Sequence, residues 1–299
     1  MATTALRRIE ITAGTPPGGG QDRAARALAA AIDEVNGARV TVTNVVGRGG
    51  GVAWESLATR AASGELISIS SPTMLTNHLH DRGEPGPDDV THLAILCIEP
   101  LLFAVPRSLP VSNARELVAA LAGDPSEFPV SIATALGNVN HMALAAVAAH
   151  AGSGMPPVTA FPSAAAAIDA AISNSGLTVV SAASALDAVI GGELRALAAS
   201  STARVGSPLD EVPIWTELGV ECAHATWRGV VGPPGLAADT VHDWEDVLAA
   251  AVSTETWQRA VEKHAWVPWF LVGDAAIDFV ETETASIRAS LQGLGMLDG

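Results

Sequence analysis

At 299 residues the chain is long enough for two domains with well-buried cores, and its 48% hydrophobic and 16% charged residues are typical of a globular protein. The formal net charge of −16 argues against a nucleic-acid partner, which needs a basic surface, and means that any anion site must supply its own positive potential. The sequence contains no apolar run of about 18 residues, so we expect no direct membrane insertion.

Two glycine-rich turns follow strand-like runs near the start of the chain. Pro16–Asp22 separates the apolar run Ile9–Ala13 from the helical run Arg23–Val35, and Gly47–Gly51 follows the strand-like run Arg39–Asn44. The first amides of a helix have no partner within it and lie at the positive end of its dipole, and glycines let a ligand approach the backbone. The first turn therefore predicts a site for a small anion, most naturally a carboxylate, or else a tight turn without a ligand.

Nucleotides, metals and other cofactors are not expected. A phosphate-binding P-loop needs a lysine just after its last glycine, but the only lysine is Lys263. A dinucleotide fingerprint starting at Gly18 or Gly47 would need glycine where Arg23 and Val52 stand. The histidines at 78 and 80 do not share a helix face and have no further metal ligands nearby, so we expect no metal site.

Strand-like and helical runs alternate through most of the chain, which predicts parallel α/β sheets. The pattern breaks at Glu99-Pro100, a second series follows to about residue 225, and the helical runs Ala238–Val252 and Asp274–Leu291 are expected to return to the first domain. A helix is also expected over Val52–Ala62. Ligands of such sheets bind at the carboxyl ends of the strands, so the polar turns there could converge on a cleft between two domains.

The order of several motifs resembles that of a known family. The motifs are PPGGG-x-D from Pro16, G-x-G-G from Gly47, G-x-x-x-H-M from Gly137, GGELRALA from Gly191 and WRGVV-x-PPG from Trp227. Over nearly the whole chain, in this order, they are similar to the solute receptors of tripartite tricarboxylate transporters, also called the Bug family.

The resemblance implies a two-lobe fold like that of type II periplasmic binding proteins, in which each lobe is a mixed or parallel sheet flanked by helices and the ligand cleft lies between the lobes. Residues 1–100 plus 226–299 would form the first lobe and residues 101–225 the second. The hinge strands would lie near 101–105 and 225–231.

Turn positions and resemblance together predict ligand contacts from both lobes. The predicted ligand-binding residues are Thr15, Pro17, Gly18, Gly19, Gly20, Gln21, Asp22, Ser71, Thr73, Thr134, Gly137, Asn138, Asn140, Ser163, Ala164, Ser181, Ser184 and Arg228. Asp22 complements the dipole of the helix that follows, so we expect it mainly to stabilise the turn. Arg228 could pair with a second ligand carboxylate, or it could be an arginine exposed to solvent.

Departures from the family pattern bear on the ligand. Val180 stands where many members have an aspartate that can meet the ammonium group of an amino acid, and Phe161 replaces a usual tyrosine. The missing acid favours a ligand without an amino group. Donor turns on both lobes favour a di- or tricarboxylate over an amino acid, but a monocarboxylate would also fit.

The resemblance implies an extracytoplasmic receptor that captures a small carboxylate, without chemistry, for the membrane permease subunits of the transporter. We expect a monomer with no nucleic-acid partner and no cofactor. Residues 1–8 lack the apolar core of a secretory signal, so either a signal was removed or the protein stays inside the cell. An intracellular carboxylate sensor, or an enzyme acting on a small acid, is the alternative; His141 could be its general base but is expected to cap or pack. Cys97 and Cys222 are expected to be free, buried thiols.

Overall fold

The structure, a computed structural model, describes residues 8–60, 64–81 and 83–297. Its strands are β1 (Arg8–Ala13), β2 (Arg39–Asn44), β3 (Leu66–Ser70), β4 (Thr91–Glu99), β5 (Leu101–Pro106), β6 (Val130–Ala133), β7 (Val158–Phe161), β8 (Leu177–Ser181), β9 (Leu194–Ser200), β10 (Thr226–Gly232) and β11 (Val267–Leu271). Its helices are α1 (Gly20–Asn36), α2 (Gly51–Ala58), α3 (Pro72–His80), α4 (Ala114–Gly123), α5 (Val139–His150), α6 (Ala164–Asn174), α7 (Ala182–Ile190), α8 (Ala238–Val252), α9 (Glu255–Lys263) and α10 (Gly273–Gly293).

The first sheet has the strand order β11-β4-β10-β3-β1-β2. Strands β1, β2 and β3 are parallel, whereas β10 runs antiparallel between β3 and β4. The carboxyl ends of β1, β2, β3 and β4 therefore lie at one edge, together with the start of β10. This edge carries the two glycine-rich turns, as the sequence predicted.

The second sheet has the order β7-β6-β8-β5-β9, with β6, β7 and β8 parallel and β5 antiparallel to β8 and β9. Its first crossing strand, β5, begins at Leu101 opposite Ser181, where β8 ends. Because only Pro100 separates β4 from β5, the carboxyl edges of the two sheets meet there. The two-lobe α/β fold is confirmed, whereas the residue boundaries of the lobes stay a prediction.

Helix α1 shows why the first lobe is stable. Its buried residues, Ala24, Ala25, Leu28, Ala31 and Ile32, recur at the spacing of one helical face. That face packs on the sheet, and α1 also contacts α8 and α9, so the C-terminal helices do return to the first lobe. The start of α1 is thereby held rigidly beneath the first glycine-rich turn.

Two elements, α9 and β11, were not expected from the sequence. Helix α7 follows β8 without a connecting loop and begins at Ala182, between the predicted ligand-binding residues Ser181 and Ser184. Strand β11 contains Pro268, which disfavours a strand, but β11 lies at an edge of the sheet where a missing amide is tolerated. Helix α2 ends at Ala58, earlier than expected, and Ala61 and Ala62 lie outside the described residues. Cys97 and Cys222 are both free and buried.

Candidate ligand-binding cleft

The two glycine-rich turns pack directly on each other. A Cβ atom added to Gly14 would lie 2.3 Å from the Gly50 Cα atom, so the two backbones can approach only because residue 14 is glycine. Gly50 needs to be glycine for a different reason, because its own Cβ would lie 2.7 Å from the Trp54 ring. Gly18 has a φ of +82°, a backbone conformation that residues other than glycine rarely adopt. The turn between β1 and α1 therefore depends on glycine for its shape as well as for access.

Two predicted ligand residues hold these turns in place. Gln21 is 2% exposed, accepts a hydrogen bond from the Gly14 amide at 2.8 Å and donates one to the Gly49 carbonyl at 3.0 Å. Thr15 accepts a hydrogen bond through Oγ1 from the Asp22 amide at 3.2 Å, which satisfies one of the open amides of α1. The side chains of Thr15 and Gln21 thus shape the cleft wall.

Asp22 stabilises the same turn. It is buried and accepts hydrogen bonds from the Gly18 amide at 2.8 Å, from Asn44 Nδ2 at 2.8 Å and from Arg26 Nε at 3.0 Å. Burial alone would raise the pKa of Asp22, but the hydrogen bonds from Arg26, Asn44 and Gly18 lower it below its ordinary value. Asp22 is therefore an ionised anchor of the turn.

Two serine hydroxyl groups that lack hydrogen-bond partners among the described residues lie at the carboxyl end of β3. Ser70 and Ser71 are each 1% exposed, and within the described chain neither hydroxyl has a hydrogen-bond partner. Ser71 immediately precedes α3 but does not cap it with its side chain. Buried hydroxyls are nearly always hydrogen bonded, so these two are candidates for contacts with a ligand.

The turn between β6 and α5 faces this edge from the second lobe. Asn138 caps α5 by accepting from the His141 amide at 3.1 Å, and its Nδ2 donates to the Ala133 carbonyl at 2.7 Å and to Thr134 Oγ1 at 2.9 Å. Thr134 and Gly137 have φ angles of +70° and +80°. This is a turn whose shape is fixed by its own side chains.

His141 and Asn140 are part of that framework. The Gly137 amide donates to His141 Nδ1 at 3.0 Å, and Asn140 Nδ2 donates to the Val179 carbonyl at 2.8 Å. Burial lowers the pKa of His141, which favours the neutral ring that accepts this bond. His141 therefore has the packing role that was expected rather than that of a general base.

The remaining predicted residues of the second lobe lie at the starts of α6 and α7. Ser163 caps α6 by accepting from the Ala166 amide at 3.2 Å, and Ala164 follows it. Ser181 donates to Ser184 at 2.9 Å. Val180 is fully buried in an apolar cluster of the second lobe, and its correspondence to the family aspartate stays a prediction. Ser181–Ser184, which follow, carry no acid either.

Arg228 is buried, and the reading of it as a solvent-exposed arginine was wrong. It is 8% exposed, because antiparallel β10 places it beside β4 and its guanidinium lies against Gly20 of the first glycine-rich turn. Its guanidinium forms a close ion pair with Glu99, which is fully buried at the end of β4. Its contact with a ligand stays a prediction.

Glu99 and Arg23 are functional candidates that the sequence analysis missed. Arg23 Nη2 lies 3.2 Å from Glu99 Oε1 and donates to Ser184 Oγ at 3.3 Å, so it joins the first lobe to the second. Burial alone would raise the pKa of Glu99, but Arg228 and Arg23 lower it below its ordinary value. Two features of the sequence could have identified them: an acid directly before the proline at the crossing between the lobes, and an arginine in the first turn of α1.

Many of the predicted residues lie in two groups. The turn from Thr15 to Asp22 leads into Gly20, whose backbone rests on the ion pair of Arg228 with Glu99, and Ser184 contacts Arg23 beside it. Asn140, Ser163 and Ala164 instead make contacts within the second lobe. A cavity of about 460 Å³ between the lobes is lined by Thr73, Thr134, Gly137 and Asn138 of the predicted set. The sequence analysis did not select the other residues that line it: Arg48, Gly49, Thr76, Asn77, His80, Asp81, Glu84, Ala135 and Leu136. A larger surface cavity of about 700 Å³ lies at the opposite end of β1 and β2, away from these turns.

The described ranges contain no group of three or more histidine, cysteine or acidic residues placed to hold a metal ion. None of their helices is both long enough and apolar enough to cross a bilayer.

Comparison with known proteins places the chain in a family. Residues 24–296 match the family described as the tripartite tricarboxylate transporter family receptor. The protein BugT of Bordetella pertussis is 26% identical over 238 residues, which cover 78% of this chain and 72% of BugT.

Solved structures share the fold. R. palustris Rpa4515 with adipate has a TM-score of 0.84 at 24% identity, covering 98% of this chain and 99% of that one. MatC (Rpa3494) from Rhodopseudomonas palustris with bound malate has a TM-score of 0.77 at 18% identity, covering 96% and 99%. A TctC solute-binding protein from Polaromonas has a TM-score of 0.78 at 22% identity, covering 97% and 100%. Since the family match spans most of the sequence and the fold agrees, the chain belongs to the receptors of the tripartite tricarboxylate transporter family.

Proposed function

We propose that the protein captures a small carboxylate without an amino group between its lobes, outside the cytoplasmic membrane, and delivers it to the permease subunits of a tripartite tricarboxylate transporter. Family membership supports the receptor role. The structural relatives with adipate and malate support a carboxylic acid, and di- or tricarboxylates over amino acids, as the ligand class.

The observation that carries this proposal is the excess of buried donors at the cleft edge of the first sheet. The hydroxyls of Ser70 and Ser71 have no partner within the described chain, and the nearby guanidinium groups of Arg23 and Arg228 outnumber the single carboxylate of Glu99. A carboxylate is an acceptor-only group that would satisfy both the donors and the charge. An ammonium group would do neither.

Capture is favoured over catalysis because His141 and Asp22, the titratable groups of the predicted ligand turns, are already engaged. His141 Nδ1 accepts from a backbone amide, and Asp22 accepts from Gly18, Asn44 and Arg26. A general acid or base must instead be free to reach its substrate. A sensor or an enzyme on the same fold is the alternative, and turnover of a bound acid would distinguish the enzyme from a receptor.

A thermal-shift screen tests the proposal. The purified protein is heated with mono-, di- and tricarboxylates, amino acids and nucleotides, and each acid that shifts the melting temperature is then incubated with the protein and followed by NMR. A ligand at 100 times its Kd should stabilise the fold by about 2.7 kcal/mol. Stabilisation by carboxylates alone, without turnover, is the expected result. Stabilisation by nucleotides alone, or by no acid, would contradict the proposal.

A further inference from the structure

Arg228, which is buried, and Arg23, which is partly buried, share a single carboxylate as their counter-ion at the cleft. Arg23 and Arg228, here called the arginine pair, both contact Glu99, one through each carboxylate oxygen. Glu99 is fully buried, and the Arg23 and Arg228 side chains are only 19% and 10% exposed. Two guanidinium groups and one carboxylate leave a net charge of +1 in a region largely removed from solvent.

The arginine pair lies against the predicted ligand turn. A Cβ atom added to Gly20 would be 2.1 Å from Arg228 Nη2 and 3.2 Å from Glu99 Oε2, so the backbone of α1 rests directly on this ion pair. Arg23 Nη1 donates to the Gly18 carbonyl at 2.9 Å, while its Nη2 reaches Ser184 in the other lobe. The cluster therefore occupies the space between the turn and the second lobe.

Several donors of the cluster are unused. The Nε atoms of Arg23 and Arg228 are buried and, like the hydroxyls of Ser70 and Ser71, make no hydrogen bond within the described chain. Buried donors without acceptors are costly, and a carboxylate offers about four acceptor positions. One additional carboxylate would match both the unused donors and the unbalanced charge.

We infer that Glu99 fills one of two carboxylate positions at the arginine pair, so that the pair binds a single carboxylate of the ligand and excludes a second. The part of this inference that assigns the second position to a carboxylate of the ligand rests on the proposed function. A second ligand carboxylate directed at Arg228 would meet the buried anion of Glu99 instead of a free guanidinium. A dicarboxylate must therefore place its second carboxylate away from the arginine pair. Because Glu99 blocks that position, it is a residue that determines which acids the site accepts.

Chemical rescue tests whether Glu99 occupies a carboxylate position. Glu99→Ala leaves the arginine pair without its counter-ion and opens space for a small acid. Acetate and formate should raise the melting temperature of Glu99→Ala, in a saturable way, by more than they raise that of the wild type, and chloride at equal ionic strength should not. Glu217→Ala, which removes a carboxylate from the exposed pair with Arg204, is the matched control and should behave like the wild type. If Glu99→Ala folds only with acetate or formate, the inference is supported as well. Equal responses of Glu99→Ala and the wild type would overturn it.

Ligand preference tests the specificity role. The Kd values of adipate and hexanoate, and of succinate and butyrate, are measured for the wild type and for Glu99→Ala in the absence of other carboxylates. The preference for the dicarboxylate should rise at least tenfold in the variant for one of the pairs; no rise in either pair would overturn the specificity role. Glu99→Gln keeps the side-chain volume and should show a smaller rise than Glu99→Ala. The rescue experiment does not depend on the natural ligand, so failure of the proposed function, seen as a wild type that binds no acid, is distinguishable from failure of this inference.

Discussion

Arg23 and Ser184 belong to different lobes, and the Arg23 Nη2 atom donates a hydrogen bond to Ser184 Oγ at 3.3 Å. The same nitrogen contacts Glu99, which ends the strand that leads into the second lobe. A single guanidinium thus connects the ligand turn, the crossing between the lobes and the start of α7. Changes at this group are expected to affect both stability and closure of the cleft.

Replacing Arg23 with alanine tests this connection. The variant leaves the fully buried Glu99 with Arg228 alone, so the free energy of unfolding should fall by about 1–3 kcal/mol. Urea denaturation followed by circular dichroism measures the change. Arg259→Ala is the control, because Arg259 pairs with Glu255 on an exposed helix surface, where such pairs contribute about 0–1 kcal/mol. Equal losses in the two variants would mean that the buried contacts of Arg23 add nothing.

Two glycine substitutions separate crowding from backbone effects. Gly20→Ala places a methyl group against the paired guanidinium of Arg228, and overpacking of this kind costs about 1–3 kcal/mol. Gly293→Ala, near the end of α10, meets no atom within 4 Å and should stabilise the fold by about 0.4–1 kcal/mol. Melting temperatures of the two variants should therefore move in opposite directions. A neutral Gly20→Ala would show that Arg228 can move away at little cost.

Two serines, Ser68 within β3 and Ser71 directly after it, distinguish a structural hydrogen bond from a ligand contact. Ser71→Ala removes a hydroxyl without a partner in the described chain, so it should leave the empty protein as stable as the wild type while weakening ligand affinity about 5- to 10-fold. Ser68→Ala removes a hydroxyl that donates to the Thr12 carbonyl at 3.3 Å, so it should cost about 1 kcal/mol of stability with no loss of affinity. Thermal unfolding and calorimetric titration with an acid from the screen give the two quantities. Undiminished affinity in Ser71→Ala would remove this hydroxyl from the site.

Asp22 gives the fold a defined dependence on acid. Its pKa in the folded protein lies below the ordinary value of 3.8, so its ionised form contributes stability that is complete above about pH 4 and is lost as the pH falls through the folded pKa. Asp22→Asn should lower stability near neutral pH and make the decline below about pH 4 shallower than in the wild type. Urea denaturation as a function of pH measures both effects, and Asp33→Asn, on the exposed side of α1, serves as the control. An unchanged slope in Asp22→Asn would contradict the assigned role.

The sequence was sufficient to predict the two-lobe fold and the convergence of the turns. Periodicity marked β1, β2 and β3, and turns at the carboxyl ends of parallel strands necessarily share an edge. The pairing of Glu99 with Arg228 was not predictable in this way, because it depends on β10 entering the sheet antiparallel between β3 and β4. Apolar patterns indicate that a strand is buried, but they do not specify its neighbours.

Polar residues in a turn do not by themselves predict ligand contacts. Thr15, Gln21, Asp22 and Asn138 are polar residues in the predicted turns, and the structure uses their side chains to hold the backbone. Turn-stabilising and ligand-binding residues are the same amino acid types, so only hydrogen-bond partners separate them.

Calorimetric titration of the best acid from the screen, beside its primary amide of the same shape, tests the central claim of carboxylate capture most directly. The amide lacks the charge that the arginine pair and the unused donors would recognise, and charge-assisted hydrogen bonds contribute about 1.5–3 kcal/mol each. We expect the acid to bind at least 100-fold more tightly than the amide. Equal affinities would show that the cleft recognises the body of the molecule and not its carboxylate, and would contradict carboxylate capture at the arginine pair.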